Sequence, residues 1–142
     1  MAPSRTARAL VLSAELASRL NDRCVTWGAR ITEGARGHPV VMIDSGYRNR
    51  TGLTYRLGGW TSVTWLMNDD GSVAKEHAAV LLATGRGSVP EVVDRLADSL
   101  AQAYAAALSG CAANGVPADD PQVLWFREAL WHLSGRPPGQ WP

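Results

Sequence analysis

Arginine and aromatic side chains alternate closely over one short stretch of the sequence, at Tyr47, Arg48, Arg50, Tyr55 and Arg56. A guanidinium group can bind phosphate through paired N–H donors, and a tyrosine ring offers a flat surface for stacking a base. The pattern predicts a nucleic-acid-binding loop and strand face. Single-strand-binding proteins usually show denser basic and aromatic content, however, so a solvated connector between strands remains the alternative.

Three titratable residues are placed where acid–base chemistry could use them. Asp44 ends an apolar stretch, His38 precedes that stretch, and His77 follows Glu76. A polar side chain at the end of a strand is a frequent place for a catalytic residue, although a turn-initiating aspartate is more frequent there. These residues support the hypothesis of a small hydrolase or ligand-binding domain. No second motif reinforces it, so we assign no catalytic residue and favour a protein that is not an enzyme.

Metal and cofactor sites are not indicated by the spacing of ligand-type residues. Cys24 and Cys111 lie far apart, and no Cys and His spacing is typical of zinc. Residues 68–71 offer oxygen ligands but lack the ligand spacing of a calcium loop, and residues 85–88 match no phosphate-binding motif. We expect no metal and no cofactor.

The last apolar stretch of the chain carries more aromatic surface than one contact with a core requires. Trp125 and Trp131 lie at the margins of its helical stripe, and Trp141 follows in the tail. Because tryptophan is enriched in binding hot spots, these three residues are predicted to contact a partner. The first-ranked hypothesis is therefore a small non-enzymatic module for protein interaction or self-assembly, such as a homodimer. The alternative is that this helix lies deep between other elements.

The charges are distributed unevenly along the chain. Residues 1–58 carry nine arginines against four acidic residues, a net charge of +5, whereas residues 59–142 carry five cations against nine acidic residues, a net charge of −4. This asymmetry favours an anionic partner, which includes nucleic acid, or self-complementary association. Hydrophobic residues make up 46% and charged residues 19%, which indicates a globular chain.

The elements that must position these residues follow from hydrophobic periodicity and turn residues. A helix is predicted over residues 4–20, opened by Ser4 or Thr6. Alternation predicts strands over residues 25–31, 40–43, 53–57 and 60–67, with a turn at 68–71 and an ambiguous segment at 78–83 that we favour as a strand.

Two helices are expected to follow the strands. A capping box at Ser88 and Glu91 opens the first, which is predicted to end at residues 109–110 and to be followed by a loop over 111–118. The second is predicted from Asp120 to Leu133. We expect one α+β domain over residues 1–135, with an antiparallel sheet of about four to five strands, the two C-terminal helices packed on one face, and a mobile, proline-rich tail over 136–142.

The compartment is inferred from the two cysteines and from the lengths of the apolar stretches. Cys24 and Cys111 could form one disulfide, but two thiols in a reducing compartment are the favoured interpretation. No apolar stretch approaches the length of a bilayer span, and the short N-terminal one is closely followed by Glu15 and Arg19. We therefore expect a cytoplasmic protein without a membrane partner.

Overall fold

The computed structural model describes residues 4–78 and 85–135, without the side chains of residues 75–78. It confirms the predicted α+β class, with an N-terminal helix, a five-stranded antiparallel sheet and two C-terminal helices. The helices and strands, in chain order, are α1 (Arg5–Arg23), β1 (Arg30–Glu33), β2 (Pro39–Gly46), β3 (Asn49–Arg56), β4 (Gly59–Met67), β5 (Val73–Ala78), α2 (Val89–Ala113) and α3 (Pro121–Leu133). Most of the ambiguous segment at 78–83, and the whole predicted tail over 136–142, lie outside the described residues.

Each strand pairs with its neighbour in the chain, so the sheet order is β1-β2-β3-β4-β5. The turn predicted at 68–71 is confirmed, because Gly71 there has a φ of 84° and joins β4 to β5. Between β3 and β4 the chain reverses at Leu57 and Gly58, both of which have positive φ. Residues 45–52 lie outside the strands predicted from the sequence, but in the structure only residues 47 and 48 separate β2 from β3.

The strand predicted over residues 25–31 is wrong in its first half. Val25–Trp27 forms a short 3-10 helix, and Gly28 ends it in the left-handed conformation with a φ of 51° before β1 begins. The apolar alternation is real, since Trp27 and Ala29 are both buried. Trp27 is buried from a helical turn, where its Nε1 donates to the Tyr104 hydroxyl at 2.9 Å.

The helices begin as their capping residues predict. The hydroxyl of Ser4 accepts from the Ala7 amide at 3.1 Å, and the hydroxyl of Ser88 accepts from the Glu91 amide at 3.3 Å. The expected end of α2 at residues 109–110 is wrong, because the helix continues to Ala113 and contains Cys111. Gly110 therefore lies inside the helix, where glycine costs about 1 kcal/mol relative to alanine. The alanine-rich flanks and the burial of Cys111 can offset this cost.

The core lies between the sheet and the helices. Leu16 and Leu20 of α1 are fully buried in the same cluster as Val41, Ile43 and Leu53 of the sheet. Leu96 and Tyr104 of α2 and Phe126 of α3 belong to the same cluster. Every second side chain of β2 and β3 thus lies on the face of the sheet that packs against the helices.

Three hydroxyl groups form a buried ladder across the middle strands. Thr51 is fully buried on β3, and its Oγ1 lies 2.7 Å from Ser45 Oγ and 2.9 Å from Thr64 Oγ1. We expect Thr51→Val to lower the free energy of unfolding by about 1 to 2 kcal/mol, because Ser45 and Thr64 each lose a buried partner. Urea titration would measure the loss, with Thr54→Val on the same strand as a control that should change stability by less than about 0.5 kcal/mol. Equal effects of the two substitutions would contradict this role of the ladder.

Both cysteines are free thiols in this structure, so the disulfide alternative is wrong. Cys24 is buried beside α3, where its Sγ lies 3.8 Å from the Ala129 carbonyl oxygen. Burial raises the pKa of the Cys24 thiol. Among the helices of the described residues, none combines the length and the apolar character that crossing a bilayer requires.

Candidate functional site

The two tryptophans of α3, which were predicted to form a partner surface, are buried or half-buried within the domain. Trp131 is 5% exposed, so the expectation that it lies on an open margin is wrong. Trp125 is half-buried and contacts the rings of Tyr104 and Phe126 edge-on, with centroids 5.4 Å away in both cases. Helical periodicity assumes one buried side, whereas α3 packs against both α2 and the 3-10 helix. Trp141 lies outside the described residues.

Among the residues predicted for nucleic acid, the first two lie at the β2–β3 turn. Arg48 there has a φ of 61°, and its guanidinium carbon lies 5.1 Å from the centroid of the Tyr47 ring. Arg48 also forms an ion pair with Asp69 of the neighbouring β4–β5 turn. Its charge is therefore partly compensated by a carboxylate of the same chain.

The other three residues of that set lie elsewhere on the sheet. Arg50 of β3 pairs with Asp44 of β2 at 3.3 Å. Tyr55 packs its ring 5.2 Å from that of Trp60, and Arg56 is exposed at the end of β3 opposite the β2–β3 turn. The structure thus does not bring the five predicted side chains together on one surface.

The residues suggested for acid–base chemistry are also separated. Asp44 of β2 pairs with Arg50 of β3, which in turn pairs with Trp65 of β4, so these three form one row across the sheet. Position 77 of β5 pairs with Thr64 and therefore belongs to the adjacent row. Adjacent rows belong to opposite faces of a sheet, so positions 44 and 77 are not on one face. His38 lies at the far end of β2, next to the β1–β2 turn.

The face of the sheet that points away from the buried core carries its own apolar surface. Met42, Gly52 and Val63 share one row across β2, β3 and β4, and Val40 and Trp65 lie in the rows on either side. We call these five residues the open-face cluster. Its four side chains are half-buried, although they alternate away from the residues that contact the helices.

Gly52, at the centre of the open-face cluster, leaves room for the side chains of Trp65 and Val40. A Cβ added to Gly52 would lie 2.8 Å from Trp65 Cζ3 and 3.0 Å from Val40 Cγ1. The indole of Trp65 therefore lies over the backbone of β3 and reaches towards β2. The alternation over residues 60–67 predicts a strand there but does not single out Gly52, because the role of this glycine depends on its cross-strand neighbours.

Two arginines beside the open-face cluster have polar partners. Arg50, the cross-strand neighbour of Trp65, forms the ion pair with Asp44, and both side chains are about 40% exposed. Arg30 of β1 lies beside Met42, and its Nη1 donates to the Gly28 carbonyl oxygen at 3.3 Å. The face thus resembles a protein contact surface, which combines apolar groups with satisfied polar neighbours, more than a phosphate-binding one.

A shallow groove of about 230 Å³ lies between α1 and α2. Its walls include Arg23 and Asp94, which form an ion pair at 3.1 Å, and Arg19, which pairs with Glu15 at the same distance. Three of its four charged side chains are thus paired, and Asp22 is the fourth. One carboxylate does not make the set of convergent polar groups that orients a small ligand.

Among residues 4–78 and 85–135, no group of three or more His, Cys, Asp or Glu side chains is arranged to hold a metal ion. No family model matches the chain, and no curated protein and no solved structure matches it either.

Proposed function

We propose that the protein is a non-enzymatic interaction module that self-associates by packing the open face of its sheet against the same face of a second copy. The observation that supports it is the open-face cluster, in which the Trp65 ring lies against Gly52 on the same face as Val40, Met42 and Val63. A contiguous apolar surface with polar neighbours is typical of a protein–protein contact.

The distribution of charge favours a second copy as the partner. Residues 1–58 include α1 and β1 to β3 and carry the net charge of +5, whereas β4, β5, α2 and α3 belong to the half with −4. A two-fold axis parallel to the strands and passing over β3 would lay β1 of one copy against β5 of the other. Arg30 on the β1 edge would then oppose the β5 edge of the partner, where position 76, a glutamate, belongs to the same face as Trp65. Such complementarity favours correct encounter and orientation.

The dimensions of the face suit such a contact. Five strands spaced at about 4.8 Å span about 24 Å, and the central strands are eight and nine residues long. Two faces of this size can pack about 10 Å apart as a sandwich. The contact would be of the same order as the roughly 800 Å² that each partner contributes to a standard interface.

The proposal is tested by placing a charge in the middle of the open face. We expect the wild type to form dimers in sedimentation velocity across a dilution series, and Val63→Arg to weaken the association at least about tenfold because a buried unpaired charge is costly. Leu124→Arg is the matched control, since Leu124 is 48% exposed on α3, away from the sheet. A wild type that is monomeric throughout, or equal weakening by the control, would refute the proposal. Circular dichroism of both variants verifies that they fold.

The proposed location remains the cytoplasm. Cys24 and Cys111 are both unpaired thiols, which is the ordinary state of cysteine in a reducing compartment.

A further inference from the structure

The turn between β3 and β4 exposes a leucine in a conformation that leucine rarely adopts. Leu57 is 87% exposed and has a φ of 52°, and Gly58 follows with a φ of 79°. Two consecutive residues with positive φ form the tight hairpin turn that favours asparagine, aspartate or glycine at its first position. Neither burial nor turn preference accounts for leucine at this position.

Three arginines surround this turn. In an antiparallel meander the β1–β2 and β3–β4 turns lie at the same end of the sheet, about 10 Å apart, and Arg36 lies in the first of them. Arg56 directly precedes Leu57. Arg86 lies close to Gly59, because a Cβ added to this glycine would be 3.6 Å from the Arg86 Cγ. We call Arg36, Arg56, Leu57 and Arg86 the basic tip.

The arginines of the basic tip are available to an external anion. All three are exposed, and none forms an ion pair with another described side chain. Two carboxylates lie in the same region. Glu33 is close to Gly37, and Glu91 accepts from the Ser88 hydroxyl at 3.0 Å. Arg95 lies in the same region, since its Nη2 donates to the Arg86 carbonyl oxygen. Arg95 and the three tip arginines outnumber these two acids.

The end of the tip is open to solvent, because no atom of the described residues lies within 4 Å of a Cβ added to Gly58, and packed rings support its base. The rings of Tyr55 and Trp60 pack at 5.2 Å directly behind it, and the Trp60 amide donates to the Gly85 carbonyl oxygen at 3.0 Å. Because Tyr55 is already packed on Trp60, the tip offers no free ring for stacking a base. An exposed apolar side chain surrounded by cations is suited to the headgroup layer of an anionic membrane, which accepts both groups.

We propose that the basic tip docks on an anionic lipid surface, with Leu57 entering the headgroup layer and the arginines contacting lipid phosphates. Apolar side chains combined with basic residues bind membrane interfaces without spanning them, and each basic residue near an anionic leaflet strengthens binding. This proposal departs from the expectation of no membrane partner, which was based on the absence of an apolar stretch long enough to span a bilayer. It involves the end of the sheet, so it is independent of self-association through the open face.

The experiment measures co-sedimentation of the full chain with two kinds of vesicle. One contains phosphatidylcholine alone, and the other contains about one third phosphatidylserine. We expect binding to the anionic vesicles only, with a loss of about fivefold for Arg56→Gln. Leu57→Asn should also weaken binding severalfold, although asparagine suits this turn better than leucine and should leave the fold intact. Leu124→Asn is the matched control and should bind like the wild type.

Several outcomes would overturn the lipid assignment. These are no binding to anionic vesicles, equal binding to both vesicle types, or an equal loss for Leu57→Asn and Leu124→Asn. A soluble polyanion, heparin, separates lipid from free anion. If heparin is bound as tightly as the vesicles and Leu57→Asn has no effect on either, the tip is a general anion site and the lipid proposal is wrong.

Discussion

Replacing Tyr104 with phenylalanine is expected to lower the free energy of unfolding by about 2 to 4 kcal/mol. The Tyr104 hydroxyl accepts from Trp27 Nε1 at 2.9 Å and donates to the Ser45 carbonyl oxygen at 3.0 Å, so it joins the 3-10 helix, α2 and β2. Phenylalanine leaves both partners buried without this hydroxyl, and each unsatisfied group costs about 1 to 3 kcal/mol.

The protonation state of this hydroxyl supports the same expectation. Burial raises the pKa of Tyr104, and the hydrogen bond from Trp27 only partly opposes that rise. The phenol therefore stays protonated and keeps its donor to Ser45 at neutral pH. Chemical denaturation followed by tryptophan fluorescence would measure the loss. Tyr55→Phe is the control, since Tyr55 is half-buried and packs through its ring, and it should cost less than about 0.5 kcal/mol. Equal losses would mean that the Tyr104 hydroxyl has no special role.

Gly52→Ala should destabilise the protein by about 1 to 3 kcal/mol, although it adds one methyl group to a strand that would ordinarily gain from it. The new Cβ would lie 2.8 Å from the Trp65 ring, so the indole must leave its position over β3. Thermal unfolding of the variant gives the size of the loss.

Two further variants isolate the contact between positions 52 and 65. Gly110→Ala on α2 has open space around its Cβ and should instead stabilise the protein by about 0.5 to 1 kcal/mol. In a Trp65→Ala background, Gly52→Ala should lose most of its cost, because the ring that it displaces is gone. If the penalty persists in that background, crowding by Trp65 is not its cause.

Local sequence signals predicted the element types well. Ser4, Ser88 and Asp120 each cap the helix that was expected behind them, and the turn at 68–71 joins antiparallel strands as its glycine indicated. These features depend on interactions within a few residues, so one sequence is enough to recognise them.

The features that the sequence did not reveal depend on distant contacts. Alternation around Trp27 was interpreted as a strand, because nothing local shows that its indole meets Tyr104, which lies on α2. The margins of α3 were expected to be open, but Trp131 is buried because α3 contacts two elements. The open-face cluster was missed for the same reason, since Gly52 and Trp65 are brought together only by the register of β3 with β4.

The order of the strands also bears on how the chain folds. Because every strand pairs with its neighbour in the sequence, the sheet can grow hairpin by hairpin, and each step closes only a short loop. Few sheet contacts join distant parts of the chain, and such low contact order is associated with fast folding. The slower steps should be the docking of α2 and α3, which bring Tyr104 to Ser45 and Ala129 to Cys24 across much of the sequence.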